Sequence, residues 1–469
     1  MKVMKFGGSS LANSERITSV AQIISQARQQ GPVAVVLSAM KGVTDQLIQC
    51  ATQAEQGDHG YMQNVHEIRE RHLQVIRDLV PREQQAFQEA EINSLLDELA
   101  ELLHGIELIR ECSPRTLDLI VSFGERLNCR NVAAVLTGTG IPATYVDARQ
   151  MIRTDDTHGS AVVDFSRTYQ ETAGLLQDTD EIVPVITGFI ASSNEGITTT
   201  LGRNGSDYTA ALVGAAIAAE AVEIWTDVDG VMSADPRYVP SAFVIPELSL
   251  QEAMELSYFG AEVIHPYTML PAVERRIPLW IKNTLNPSAR GSRITDQQPQ
   301  RDHPVTGIAS IENVALINVE GGGMIGIPGI ASRVFGALAR AETNIIMISQ
   351  ASSEHSICIC IRESQLHRAA TFLREELRQE LESRRIDQFE EQPNLEIVAV
   401  IGGSMRGNPG IAGRLFSALG ESGVNILAIA QGSSEMNISF VVRREERKKA
   451  LNVVHDAFFA RSHAEAAKA

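Results

Sequence analysis

The chain has 469 residues, 44% of them hydrophobic and 21% charged. At roughly 100–200 residues per domain, that is two to four domains, each able to bury a core. Lys and Arg total 41 against 58 Asp and Glu, a formal charge of −17, which argues against a general binder of nucleic acid or anionic membrane because both need cationic surface.

In chain order, Val3–Phe6 reads as a short buried strand that ends at Gly7-Gly8. A helix follows, with Asn13 as N-cap and Ile17, Val20, Ala21 and Ile24 on one face. Val33–Leu37 is continuously apolar, the pattern of a parallel strand covered on both faces. Glu55–Glu111 is almost all helix formers, with Leu95, Leu96, Leu99, Leu102 and Leu103 at helical spacing. Its thirteen acids and five bases leave eight excess negative charges, so it reads as a solvated helical pair outside the sheet. Apolar runs recur at Ala143–Val146, Val183–Thr187, Val222–Trp225 and Leu279–Ile281. Strands alternating with helices predict a three-layer α/β sandwich through about residue 295. Gln297–Pro304 is polar and Pro-bearing, a linker signal.

Beyond the linker lies an internal repeat. Gly326–Ile357 aligns without gaps to Gly407–Ile438 at a constant offset of 81, with 17 identities over 32 positions. Each copy reads as strand, Gly-rich loop, amphipathic helix (Ala331–Ala339; Ala412–Leu419) and strand. The loop Gly-x-Pro-Gly-Ile-Ala sits at the helix start in both. A duplicated module of this kind implies two similar small domains packed together. The final Ala464–Ala469 reads as a frayed tail.

Five scattered cysteines (Cys50, Cys112, Cys129, Cys358, Cys360) form no C-x-x-C pair, and the eleven histidines form no H-E-x-x-H. Neither a disulfide scaffold nor a zinc site is indicated. No apolar run reaches about 18 residues and the first six lack an apolar signal region. The expected setting is a reducing cytoplasm.

The polar motifs fall at strand ends and helix breaks. Lys5-Phe-Gly7-Gly8-Ser9-Ser10 joins a strand to a helix, where glycine amides, a helix N-terminus and the Lys5 ammonium suit an oxyanion. Ser122-Phe-Gly124-Glu125-Arg126 breaks an apolar helical run at Gly124, leaving a carboxylate able to receive an ammonium group. Gly202-Arg203-Asn204-Gly205-Ser206-Asp207 flanks an arginine with glycines before a small-residue helix, a fork for carboxylate or phosphate. Thr226-Asp227-Val228-Asp229-Gly230 follows a buried strand, with carboxylates that suit magnesium. Arg237 and Lys282 lie further on, each suited to a phosphate. Gly321-Gly-Gly-Met-Ile-Gly326 satisfies a dinucleotide pattern, but the other repeat loses the middle glycine and no acid ends the next strand, so dinucleotide binding is rejected.

Taken in this order, KFGGSS, SFGERL, GRNGSDYTAA, WTDVDGV with ADPR, ELSYFGA and IKN resemble the aspartate kinases of the amino-acid kinase family. The repeated tail resembles that family's paired ACT modules. The wording of GRNGSDY, the two Q-x-S-S-E segments and the acidic insert is most similar to the kinase half of bifunctional aspartate kinase–homoserine dehydrogenase. The chain stops where a dehydrogenase would start, which fits a fragment of such an enzyme or a stand-alone relative.

The resemblance implies an αβα amino-acid-kinase-like sandwich over 1–296, a linker at 297–304, and two ferredoxin-like ACT modules over 305–469. The modules would span about 314–392 and 393–460, the first inserted into the second. It implies phosphorylation of the L-aspartate β-carboxylate by ATP with Mg²⁺, without a direct protein ligand set for the metal. Lys5, Gly7, Gly8 and Ser9 would meet the transferring phosphate, and Asp207 would organise Lys5 and Arg203. Arg203 would clamp the substrate α-carboxylate, Glu125 would take its ammonium, and Ser38 and Thr44 would help hold it. Thr226, Asp227, Arg237 and Lys282 would line the nucleotide site. A feedback amino acid, threonine first and lysine as the alternative, would sit on Gly329, Ile330, Ala331, Asn344 and Gln350, with Asn425 and Gln431 in the second copy. A homodimer or higher oligomer through the ACT modules is expected. Two departures from the family pattern are Met232, often aromatic, and Tyr267, often Arg. Competing readings are a non-catalytic amino-acid sensor and a kinase acting on another amino acid such as glutamate.

Overall fold

The computed structural model describes residues 1–177, 179–260, 266–301, 303–324, 329–350 and 356–466. The chain forms two compact units, Met1–Val231 with His265–Gln297, and Met232–Ile264 with Gln298–Ala469. The sequence reading kept 232–264 with the first region; its contacts lie with the second.

Within the first unit the main sheet runs in the order Ala143–Val146, Val183–Thr187, Val33–Leu37, Lys2–Phe6, Ala221–Thr226, Leu279–Asn283 and Ser292–Thr295. All pairs are parallel except the last. Val33–Leu37 is buried at every residue, as a strand covered on both faces must be. The helix Ser14–Arg28 begins at Asn13, whose side chain accepts from the Arg16 amide. The acidic insert forms the helices Gly60–Leu79 and Arg82–Ile109, following Val43–Gln56. Leu96, Leu99 and Leu103 are fully buried and join the same core as Phe6 and Leu37, so one stripe of the insert is structural and the opposite side carries the charge.

The register sets the site. Phe6 aligns with Leu37 and Trp225, Leu37 with Thr187, and Asn283 with Thr226. One row of carboxyl ends therefore carries Gly7-Gly8, Ser38, Gly188 and Asp227, the edge where parallel α/β sheets bind ligands.

The second unit holds a six-stranded antiparallel sheet in the order Ile345–Gln350, Ser356–Arg362, Gly307–Glu320, Gln388–Ile401, Asn437–Arg443 and Ala428–Ala430. Its two edge strands approach each other, with the Ser349 hydroxyl donating to the Ile429 carbonyl at 2.8 Å. Two cores lie against it: one holds Val334, Leu338 and Ile359, the other Leu415, Phe440 and Val454. Val305 and Ile308 belong to the second of these, and Gly307–Ile311 pairs with Ile397–Ile401. The backbone repeats beyond the sequence identities. Asn313 and Asn394, and Glu342 and Gly423, each lie at the same offset and each have positive φ, the αL turn that Asn and Gly tolerate. Gly321 and Gly402 need their glycine because a Cβ would meet the Arg385 and Pro304 carbonyls at 2.2 Å. That close approach accounts for the glycine at Gly321 and at its counterpart Gly402.

The stretch read as a linker is tied down. Gln298, Arg301, Thr306 and the Gly403 amide all converge on Glu252, which is fully buried. Burial alone would raise its pKa; Arg301, Thr306 and the Ser249 amide bring it down to about 2. Residues 464–466, read as a frayed tail, continue the helix Arg447–Ala466. The rest of that tail, Gly326–Pro328, Ala351–His355 with the first Ser-Ser-Glu, and Ala261 of ELSYFGA lie outside the described residues.

Candidate active site

Lys5 Nζ lies 2.6 Å from Asp207 Oδ1, both side chains nearly buried. An ammonium carries three donors, so pairing with Asp207 leaves others for a second oxyanion. Lys5 comes from a strand end and Asp207 from the first turn of the helix Gly205–Ala216. Asn204 caps that helix in the αL conformation, φ 57°.

Two backbone approaches fix this geometry. A Cβ on Gly8 would lie 3.0 Å from the Ala39 carbonyl, and one on Gly188 2.6 Å from Ser206 Cβ. Phe189, next after Gly188, has φ 67°, and the Ile190 amide donates to the Gly188 carbonyl at 2.7 Å. This is a γ-turn of the strained hand, rare for a residue with a side chain.

Glu125 is 3% exposed. One oxygen accepts from the Ala39 amide at 3.1 Å and the other has no partner among the described residues. Burial raises its pKa to about 8, only partly offset by that amide and its own backbone. Asn128, one turn on, donates to the Ser38 carbonyl at 2.7 Å. The helix break expected at Gly124 falls at Ser122 instead, between Pro114–Val121 and Phe123–Gly138. Gly124 is needed for packing, since a Cβ there would lie 2.8 Å from Ala39 Cβ. Thr44 sits in the first turn of Val43–Gln56, half-buried. Arg203 is exposed and has no carboxylate partner among the described residues.

The structure gathers Lys5, Gly7, Gly8, Ser9, Ser38, Glu125 and Asp207 around one sheet edge, from a strand end, loops and helix starts. It treats the expected nucleotide residues differently. Strand alternation turns Lys282 to the sheet face opposite Lys5, where it meets Glu223 at 3.2 Å and covers the Trp225 ring. Thr226 Oγ1 donates to Asp227 at 3.2 Å; Asp229 accepts from Asn283 and Asn286. Arg237 belongs to the second unit and forks Asp235 at 2.6 Å, which raises the guanidinium pKa.

Sequence reasoning missed Phe189 and Gly188. A Gly-Phe pair after an apolar strand carries no local sign of positive φ on the phenylalanine. In the second unit Gly329 and Gly410 begin the helices Ile330–Arg340 and Ile411–Glu421 at φ 94° and 91°. Asn344, Gln350, Asn425 and Gln431 are all exposed.

The amino acid kinase family matches residues 1–283, and the ACT domain matches 317–377 and 398–458. The chain therefore belongs to the amino acid kinase family, with ACT domains behind the kinase region. Within that family its relatives are aspartokinases. Bifunctional aspartokinase/homoserine dehydrogenase 2 of Arabidopsis thaliana is 39% identical over 97% of this chain and 50% of its own length. The chain thus spans about half the length of such relatives. Aspartokinase 1 of the same plant is 35% identical over 97% of this chain and 80% of its own. E. coli aspartokinase III with lysine and aspartate superposes at TM-score 0.81, 32% identical, covering 98% of this chain and 99% of that one. The same enzyme with aspartate and ADP gives 0.77 and 31%, covering 98% and 100%.

Proposed function

We propose that this chain phosphorylates the β-carboxylate of L-aspartate with MgATP, giving 4-phospho-L-aspartate, the entry to the threonine, lysine and methionine group of amino acids. The observation that carries this reading is the Lys5–Asp207 pair beside the Gly7-Gly8 amides, with buried Glu125 on a neighbouring helix. A β-carboxylate oxygen attacks the γ-phosphorus, the bond to the bridging oxygen breaks, and ADP leaves with that electron pair. The nucleophile is already ionised, so no general base is needed, and catalysis reduces to positioning and charge neutralisation.

Lys5 and the glycine amides, with Ser9, meet the transferring oxygens, and Asp207 holds Lys5 in place. Arg203 takes the α-carboxylate, Glu125 the ammonium, and Ser38 and Thr44 flank the substrate. Thr226, Asp227 and Lys282 serve the nucleotide. Asp227, exposed at its strand end, would hold the magnesium ion, which supplies charge neutralisation on the phosphates when bound.

The ACT pair binds a feedback amino acid, threonine by preference, its carboxylate at the helix starts after Gly329 and Gly410. Support comes from the paired αL glycines, from Gln350 at the end of the strand Ile345–Gln350 and from Gln431 just after the strand Ala428–Ala430. The ACT modules also carry association into a homodimer or larger oligomer.

ADP release with aspartate, titrated separately with threonine and lysine, tests both parts. Aspartate-dependent turnover inhibited by threonine is expected. No turnover from folded protein overturns the kinase reading; inhibition by lysine alone overturns the effector assignment.

A further inference from the structure

One buried carboxylate near the site has no role in the chemistry above. Asp118, on the helix Pro114–Val121, is 3% exposed. Its Oδ1 accepts from the Thr200 hydroxyl at 2.6 Å and from the Gly159 amide at 3.2 Å. Its Oδ2 accepts from His158 Nδ1 at 2.7 Å and again from the Gly159 amide at 3.2 Å. Asp118 thus joins three chain segments that are far apart in sequence.

Two of those segments lead to a substrate-gripping side chain, and the third supports one of them. Thr200 ends the strand Thr198–Thr200, and Gly202 and Arg203 follow at once. Gly202 turns at φ 74°, and a Cβ there would lie 3.2 Å from Ser160 Cβ and 3.3 Å from the Gly159 carbonyl. The loop that Asp118 holds is therefore the surface against which the Gly202-Arg203 turn rests. The Ala161 amide donates to the Thr200 carbonyl at 2.9 Å, closing the far side of the loop. Its neck is closed by Asp155, which accepts from the Thr157 hydroxyl at 2.8 Å and the Val162 amide at 2.9 Å. The Asp118 helix itself runs through Ser122 into the helix that carries Glu125.

Arg203 has no carboxylate partner of its own among the described residues. A long side chain without a partner is aimed only by its backbone, and rotamer freedom lost on binding weakens the grip. We propose that Asp118 is a positioning residue. By clamping the 158–160 loop and Thr200 it fixes the turn that presents Arg203, and so sets affinity for the α-carboxylate of the acceptor amino acid. This rests on the assignment of Arg203 to the substrate α-carboxylate.

The test compares Asp118→Asn, Thr200→Val and Thr200→Ser in the full chain, with KM for aspartate, KM for ATP, aspartate affinity by calorimetry and Tm. Asp118→Asn and Thr200→Val are expected to raise KM for aspartate about tenfold while KM for ATP stays within about twofold. Thr200→Ser, which keeps the hydroxyl, is expected to restore the native KM. Equal rises in both KM values, or failure of Thr200→Ser to rescue, indicate a merely structural role and overturn the proposal. An unchanged aspartate KM in folded Asp118→Asn overturns it too. Native protein with no aspartate-dependent turnover would instead remove the underlying kinase reading, so the two failures are distinguishable.

Discussion

Glu125 faces a conflict that its burial creates. An ammonium ligand needs the carboxylate, yet burial holds the proton up to a pKa of about 8. Aspartate must therefore displace that proton, and its affinity is expected to rise with pH until about 8 and then level. KM for aspartate measured across pH checks this; a flat profile would remove Glu125 from the ammonium site. The same shift acts on stability. The folded pKa lies above the unfolded one, so the native state holds the extra proton between them, and stability falls as pH rises from the ordinary carboxyl range to about 8. Glu125→Gln should therefore be more stable than the native protein above that pH, and inactive. His72 has the opposite sign. It is fully buried, donates from Nδ1 to the Ile68 carbonyl, and leaves Nε2 without a partner among the described residues. Burial lowers its pKa to about 4, so it contributes stability above about 6.5 that is lost as pH falls toward 4. Lys5 and Arg203 are expected to differ in what they do for folding. Lys5→Ala strands a buried Asp207 and should cost about 3–5 kcal/mol as well as activity. Arg203→Ala removes an exposed side chain and should abolish turnover while changing stability by no more than about 0.5 kcal/mol. Urea unfolding alongside the kinase assay distinguishes them.

At the scale of elements, the site depends on how closely backbone segments approach. Gly188→Ala would drive a methyl into Ser206 at the start of the helix that carries Asp207. It is expected to cost about 1–3 kcal/mol by overpacking and to lower kcat, measured against a surface glycine variant such as Gly174→Ala, where a Cβ meets nothing. The strands were legible because a fully buried parallel strand is an unbroken apolar run. Val33–Leu37 and Val183–Thr187 have the bounds that their sequence predicts. The break near Glu125 was read one feature away, because a glycine looks the same whether it ends a helix or admits a neighbour. At Gly124 it admits Ala39. Likewise Gln297–Pro304 is polar enough for a linker, and only the position of Glu252 shows that its side chains are spent on a buried carboxylate.

For the whole molecule, each unit has cores of its own. Two compact units with separate cores are expected to unfold in more than one step. In calorimetry, ATP with aspartate should raise the transition of the first unit, and the feedback amino acid that of the second. A single two-state transition moved equally by both ligands would contradict that division of labour. The charge of −17 also divides unevenly. Eight units arise in the helical insert, on the side that faces away from its buried leucine stripe. The sheet edge proposed to face phosphate instead offers Lys5, glycine amides and a helix N-terminus, so the bulk charge is a poor guide to local phosphate affinity.

The sequence by itself determined the layer pattern, the duplicated module and the residue types of the site. Those follow from local periodicity, from an offset that repeats, and from short motifs whose spacing is kept along the chain. The tertiary structure decided which of those residues meet. Strand order and register set Lys5 against Asp207 and Lys282 against Glu223, because which strands lie side by side, and in what register, is not written in any one strand's sequence. It also decided that Glu125 lies in a medium dry enough to hold its proton, and that Asp118 reaches 41 residues along the chain to the Gly159 amide and 82 to Thr200. Burial and long-range hydrogen bonds depend on three-dimensional packing, and no local window of the chain contains it.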